Sequence, residues 1–338
     1  MAAQAEKSDL MDGQARTSEV IQGLTAIRAE KDGILKKGDD VKGETGHRRW
    51  IAIDHVKFNH ENQEEVERNP YIDALFFGEL AESCGAPMLA LAHEDSCCRT
   101  FFNQNRLKKE LTEALGALRL VAQALEYNSE GDRSGQAPGI HFGPGIQEKP
   151  LFVIDMCSGK GIFSVVCSLA CSTQGTTVAS VDCNAKIKVP HLSAAPFQSR
   201  ITFHLFDVNE ARFETWLTET SAAASEAGAI PVIVGLHLCG TLSTRLTALF
   251  TAVAPLAVLV VSPCCLPKRD RAARDKCRLE AWDPYAYWCR CVFEGLDLPA
   301  DQKFMLVDEN VVSEKNTLIW AVKRPQSDTG VQVGSFSS

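Results

Sequence analysis

The chain has 338 residues, 45% of them hydrophobic and 23% charged, with a formal net charge of −8. That length suits one large core or two smaller ones, and the negative balance excludes the whole-molecule positive field of a non-specific nucleic-acid binder. The opening residues hold no apolar run of the kind a secretory signal needs. Many of the thirteen cysteines (Cys157, Cys167, Cys171, Cys183, Cys239, Cys264 and Cys265 among them) sit in or beside apolar runs. They read as reduced, buried thiols of a cytoplasmic or nuclear protein rather than as a disulfide framework.

Residues 1–45 mix charges, lack aromatics and show no sustained period, which predicts disorder with a short helix near Thr17–Ala29. Trp50–Asp54 is a candidate strand, and Asn69-Pro70 offers a helix start with Pro at the first helical position. Residues 46–127 are expected to form a helical N-terminal extension. Its clearest element is a helix over Asn105–Tyr127, where Leu107, Leu111, Ala114, Leu115, Leu118, Val121, Ala122 and Leu125 recur every three or four positions. Residues 128–150 are rich in Gly and Pro and read as a linker, and 325–338 as a flexible tail.

From 151 to 324 strands and helices alternate. Strands are expected at Leu151–Asp155, Thr177–Asp182, Ile201–Asp207, Ile230–His237 and Leu256–Ser262. Helices are expected at Ile162–Cys171, Asn209–Ala227, Ser243–Val253 and Trp282–Leu296. Near-continuous apolar strands separated by helices predict an α/β fold, a doubly wound, mostly parallel sheet covered on both faces. Lys303–Glu309 and Thr317–Lys323 have no helix-length spacer between them, so they should add an antiparallel C-terminal hairpin at the sheet edge and bring the sheet to seven strands. The most hydrophobic stretch, Leu246–Val261, is broken by Pro255 and is too short for a membrane span, so no membrane partner is expected.

Chemistry is expected where strands end, because open α/β sheets bind ligands outside the carboxyl ends of their strands. The turn Asp155-Met-Cys-Ser-Gly-Lys-Gly161 follows the first strand, and Gly159 and Gly161 let its backbone bend and approach a ligand. A phosphate-binding P-loop is excluded by spacing, since Ile154 and Gly161 stand where it needs Gly and Ser or Thr. A nicotinamide fingerprint lacks a glycine in either register, at Cys157 in one and at Ser164 in the other. Asp182 ends the second strand, 21 positions after Gly161, a placement suited to a ribose hydroxyl. Asp207 ends the third. Each Asp could instead cap a helix. His237, in Gly235-Leu-His-Leu-Cys-Gly240, is the candidate catalytic residue as a general base, or else a histidine bonding a neighbouring loop. Cys239 reads as packing. The set Cys264, Cys265, Cys277, Cys289 and Cys291 misses the spacing of zinc ligands, so no metal is expected. Pro267–Arg278 carries six basic residues against Asp270 and Asp275, either a solvated loop or helix face or an acceptor-binding patch.

Taken together, Asp155-Met-Cys-Ser-Gly-Lys-Gly161, His191-Leu192, Gly-Leu-His-Leu-Cys-Gly240 with Leu242-Ser243, Ser262-Pro-Cys-Cys-Leu-Pro267 and Ser313-Glu-Lys-Asn316 resemble a branch of the Rossmann-like class I methyltransferases. That branch is related to the tRNA 2′-O-methyltransferases that act on the acceptor stem, and the resemblance covers roughly residues 150–324 by its motifs. It implies S-adenosylmethionine as cofactor, with contacts at Asp155, Gly159, Gly161, Asp182 and Asp207 and from the intervening Cys157 and Lys160. It implies no agreed base. An RNA acceptor, tRNA-like and held through Lys268–Arg278, is the expected partner. Two departures stand out: Cys157 replaces the first motif glycine of the wider superfamily, and the Cys/His zinc modules of the tRNA enzymes are missing. The rival readings are a cofactor-binding scaffold without turnover and a nicotinamide-dependent oxidoreductase.

Overall fold

The computed structural model describes residues 69–324, apart from 77, 103, 105, 131–140, 144 and 172–174. The expectations for 1–45, for Trp50–Asp54 and for 325–338 lie outside the described residues. The chain divides between Leu107 and Lys108 into two compact units.

The described part of the first unit is helical. Its start follows from Asn69-Pro70: the Asn69 side-chain oxygen accepts the N–H groups of Tyr71 and Ile72 at 3.1 and 3.3 Å. Pro70 opens α1 (Pro70–Phe76) without sacrificing a bonded N–H. A π-helical turn over Ala81–Gly85 leads into α2 (Ala86–Glu94), and α3 spans Ser96–Phe102. Gly85 is required here, because a Cβ would stand 2.0 Å from the Leu75 carbonyl oxygen. Among the described residues no single helix is long and apolar enough to cross a membrane; one bent pair, α1 with Ala81–Glu94, passes by length and composition only.

The second unit opens inside α4 (Leu107–Glu130), which is close to the expected helix, and continues with a short α5 (Gly145–Glu148). The alternating pattern then forms β1 (Leu151–Met156), α6 (Ile162–Ala170), β2 (Thr177–Asp182), α7 (Ala195–Gln198), β3 (Ile201–Leu205), α8 (Ala211–Glu226) and β4 (Ile230–Cys239). It continues through α9 (Leu242–Ala252), β5 (Val258–Cys265), α10 (Arg271–Leu279), α11 (Pro284–Glu294), β6 (Lys303–Val307) and β7 (Thr317–Val322). The sheet has seven strands in the order β3-β2-β1-β4-β5-β7-β6. The first five are parallel, and β7 runs antiparallel to both β5 and β6. The doubly wound, mostly parallel α/β fold is therefore present.

One local expectation needs correction, the end of the third strand, and two others gain detail. The antiparallel hairpin lies at the sheet edge as expected, with β7 beside β5 and β6 outermost. All six β7 residues are buried, whereas Met305 and Val307 of β6 are exposed, so the continuous apolar run takes the interior place and the weaker strand the edge. The basic segment is a helix from Arg271, started by the Asp270 carboxylate accepting the Ala273 N–H at 2.9 Å. The third strand stops at Leu205, leaving Asp207 in the following turn.

The strand β4 is irregular where it matters. Its pairing with β5 shifts register between Gly235 and Leu238 and again before Cys239, and His237 takes a left-handed φ of 55°. Beneath this bulge the side chains of Leu238 and Leu246, both fully buried, close on Gly235; a Cβ there would meet them at 2.6 and 2.7 Å. Gly235→Ala is therefore expected to destabilise the protein by about 1–3 kcal/mol through overpacking, read as a lowered urea midpoint with an unchanged slope. An unchanged midpoint would mean that the bulge adapts freely.

Candidate functional site

The turn after β1 is built on left-handed residues: Cys157, Gly159 and Gly161 have φ of 60°, 56° and 79°. For Cys157 this conformation is strained, and the turn is held by bonds to its neighbour strand. The Ser158 N–H donates to the Val181 carbonyl at 2.9 Å, the Ser180 hydroxyl to that of Ser158 at 2.7 Å, and the Gly159 N–H to Asp182 Oδ2 at 3.0 Å. The buried His191 ring pairs through Nε2 with the Lys160 carbonyl at 3.0 Å, which gives the His191-Leu192 motif its role as a clamp on the turn. A Cβ at Gly159 would meet nothing within 4 Å, so the space beside the turn is open. The side chain of Lys160 lies on the exposed surface of the loop.

The three acids differ sharply. Asp155 is 2% exposed and accepts the Ser164 hydroxyl at 2.7 Å. Burial pushes its carboxyl up to about 7, against the lowering effect of the Ser164 bonds, and the nearby Asp182 charge adds to the rise. Asp182 ends β2 with its carboxylate shared between the N–H groups of Gly159 and Asn184 (2.8 Å), so it joins the β1 turn to the turn after β2. Asp207 is exposed and accepts the N–H and side-chain amide of Asn209, both at 2.9 Å. None of the three caps the helix that follows, since the residues preceding α6, α7 and α8 are Gly161, Ala194 and Glu210. Asp155, Asp182 and the turn are thus brought together, while Asp207 stands in a separate turn two residues beyond β3.

His237 lies at the end of β4 beside the first turns of α4. Its Nε2 is 2.5 Å from Glu113 Oε2 and 3.3 Å from Lys109 Nζ, and Lys109 Nζ is 3.2 Å from Glu113 Oε1. One ring nitrogen cannot donate to Glu113 and accept from Lys109 at once. The shorter contact to a carboxylate assigns the hydrogen to Nε2, leaving Nδ1 as the basic atom, with Lys109 serving as counter-charge to Glu113. Glu113 is 5% exposed, and its Oε1 has no well-aligned hydrogen-bond donor despite the ammonium nearby. Glu110, next along, is raised above the ordinary carboxylate range by burial and by Glu113, opposed by Lys160, Lys109 and His237. The helix is held in place at Thr112, whose hydroxyl accepts the Val312 N–H at 3.0 Å, and at Arg119, which pairs with the buried Asp308 at 3.3 Å. Sequence reasoning missed Lys109 and Glu113 as site residues; the available signal was an oppositely charged i,i+4 pair beside the apolar stripe.

No disulfide joins any of the cysteines among the described residues. Of those expected to be buried, Cys167 and Cys171 are, Cys157, Cys264 and Cys265 are half-buried, and Cys183 and Cys239 are exposed. Both follow or end a strand at the sheet's carboxyl edge, where apolar neighbours in sequence do not imply burial. Ser243, of the Leu242-Ser243 motif, bonds the Leu238 carbonyl at 2.9 Å and closes the turn after β4. In the Ser313–Asn316 motif the Lys315 ammonium sits 4.2 Å from the centre of the Tyr285 ring, holding the β6–β7 connection against α11.

Residues 144–269 match the family model described as a methyltransferase domain. No curated protein matches the chain. Among solved structures the chain is similar to a fibrillarin pre-rRNA processing protein of Methanococcus jannaschii, at 12% identity and TM-score 0.33, over 52% of this chain and 67% of that one. It is similar to an O-methyltransferase family protein from Burkholderia thailandensis, at 13% identity and TM-score 0.33, over 82% and 78%. A methyltransferase from Thermobifida fusca gives 15% identity and TM-score 0.36 over 76% and 94%. The matched segment contains the β1 turn, Asp155, Asp182, Asp207 and His237. Over residues 144–269 the chain is therefore similar to a methyltransferase domain.

Proposed function

We propose that the chain is a class I methyltransferase that transfers the methyl group of S-adenosylmethionine to a nucleophile on RNA, His237 removing the acceptor's proton. The observation that carries the cofactor half is the strand order β3-β2-β1-β4-β5-β7-β6 with the left-handed glycine turn and two acids at the ends of β1 and β2. A dinucleotide-binding oxidoreductase of the doubly wound type has an all-parallel 3-2-1-4-5-6 sheet instead. The open space at Gly159 admits a ligand to the backbone, Asp182 stands where a ribose hydroxyl would bond, and Asp155 is the acid nearest the turn for the amino-acid end. Cys157, Lys160 and Gly161 complete that wall, and Asp207 is assigned to the adenine side.

When bound, S-adenosylmethionine supplies an electrophilic methyl group on its sulfonium. The chain's own part is mostly positioning. Glu113 holds the His237 ring by Nε2, which presents Nδ1 as the proton acceptor. The RNA half rests on α10 and the turn before it: Lys268, Arg269, Arg271, Arg274, Lys276 and Arg278 are all exposed, and Lys276 lies 5.2 Å from the ring of Trp282, itself 43% exposed. Cations interleaved with an aromatic face suit a phosphate backbone with unstacked bases. The segment begins beside the β4 turn, since Pro267 Cα is 3.8 Å from where a Gly240 Cβ would stand.

The test is thermal shift with S-adenosylmethionine, S-adenosylhomocysteine and NAD(H), followed by methyl transfer to total RNA. Wild type should be stabilised by the first two and not by NAD(H), and Asp182→Ala should lose that response. Stabilisation by NAD alone overturns the reading. Binding without transfer to any RNA favours the scaffold. Lys276→Glu with Trp282→Ala should weaken RNA binding and its salt dependence while leaving the cofactor shift intact.

A further inference from the structure

We propose that Cys239, Cys264 and Cys265 form a binding site for Zn²⁺, three thiolates at the carboxyl ends of β4 and β5 with a fourth position open to solvent. Their sulfur atoms all lie within 4.8 Å of one another. A tetrahedral zinc with Zn–S bonds of about 2.3 Å needs sulfurs roughly 3.8 Å apart, so small rotations of the side chains complete the geometry.

The backbone explains how residues so poorly spaced in sequence converge. Consecutive residues in a regular strand point to opposite faces, so Cys264 and Cys265 could not share a partner there. The β4–β5 pairing is irregular at this point: register shifts precede Cys239, which then stands opposite Cys265, and the Gly240 N–H bonds the Cys265 carbonyl at 3.2 Å. Cys277, Cys289 and Cys291, which the sequence invited as partners, do not join the group. Cys264 and Cys265 are half-buried and Cys239 is exposed, which gives a route for the ion and an exchangeable fourth ligand, as in zinc sites with three protein ligands.

Binding replaces each S–H by an S–Zn bond and releases the proton to solvent, so affinity should climb with pH.

The test uses the full chain, reduced and freed of metal by a chelator, titrated with Co²⁺ as the spectroscopic stand-in. One equivalent should bring in a thiolate-to-cobalt charge-transfer band and tetrahedral visible bands, both displaced by Zn²⁺. Cys239→Ser and Cys264→Ser should lose the band, and Cys97→Ser should keep it. Because a misfolded variant would also lose it, the wild-type chain is labelled with a thiol alkylator and the sites are mapped by mass spectrometry. Zn²⁺ should slow labelling of these three cysteines about tenfold or more, since a metal-bound thiolate is no longer a free nucleophile. No charge-transfer band, a band that survives Cys239→Ser, or protection mapped to Cys277 and Cys291 instead overturns the site.

Discussion

Affinity for S-adenosylmethionine is expected to rise by about tenfold per pH unit between pH 5 and pH 7 and to level off above, with Asp155→Asn flattening the slope. The sign follows from burial. Asp155 has a carboxyl raised to about 7 because it is sealed beneath the β1 turn. It is therefore a neutral acid below that pH, and a cationic ligand end binds the carboxylate only after the proton has left. The same group has a second consequence for the ligand-free protein. With its folded value above its unfolded one, the folded state holds the proton more tightly. The stability this contributes is fully present below about pH 4 and is lost as pH rises through about 7. The loss for a group this buried is on the order of 4 kcal/mol, at about 1.4 kcal/mol for each pH unit between the ordinary carboxyl value and the raised one. Asn keeps the shape and can still accept the Ser164 hydroxyl, so Asp155→Asn should be the more stable protein at pH 8 and similar at pH 4. Urea unfolding at the two pH values, beside calorimetric titration of the cofactor, measures both effects. An equal slope in the two proteins would remove Asp155 from the cofactor site and leave it a structural acid.

The second large effect is expected at the end of β4. His237→Ala should lower kcat by about 10²–10⁴, the usual contribution of a general base, with cofactor affinity unchanged, because the cofactor walls lie on β1 and β2. Glu113→Gln should lower kcat by about tenfold or more while the KM for cofactor holds, since an amide can present either its oxygen or its nitrogen to Nε2 and no longer dictates the tautomer. Glu113 acts through His237 and is a positioning residue, so the double variant should be no worse than His237→Ala alone. Additive losses in the double variant would separate the two residues, and a full rate in His237→Ala would remove the base. Steady-state kinetics with a purified RNA acceptor, run with a binding measurement on each variant, distinguishes these results.

Much of the architecture was legible because it depends on local pattern. The apolar runs at Leu151–Met156 and Val258–Val261 are buried on both faces in a parallel sheet, and that demand is written residue by residue. The glycines of the β1 turn were equally plain, since only glycine takes φ of 56° and 79° without cost. The left-handed conformations of Cys157 and His237 were not, because nothing about a cysteine or a histidine announces φ near 60°. Both are held by neighbours: the β2 strand for one, the β4 bulge packed over Gly235 for the other. Which strand of the edge hairpin lies inside was not legible either. A hairpin can add to an edge by either strand, and the choice rests on which strand β5 pairs with.

What the sequence by itself determined was the alternation of strand and helix, the turn Asp155–Gly161 and Asp182 at the end of the next strand. These are set by side-chain period, by glycine's freedom and by the chain direction at strand ends, all of which act within a few residues. Only the tertiary structure decided that α4 carries Lys109 and Glu113 to His237, more than 120 positions away, and that Cys239 meets Cys264 and Cys265. The two sites owe their existence to pairings across the fold, where free energy depends on distance and burial and not on spacing along the chain.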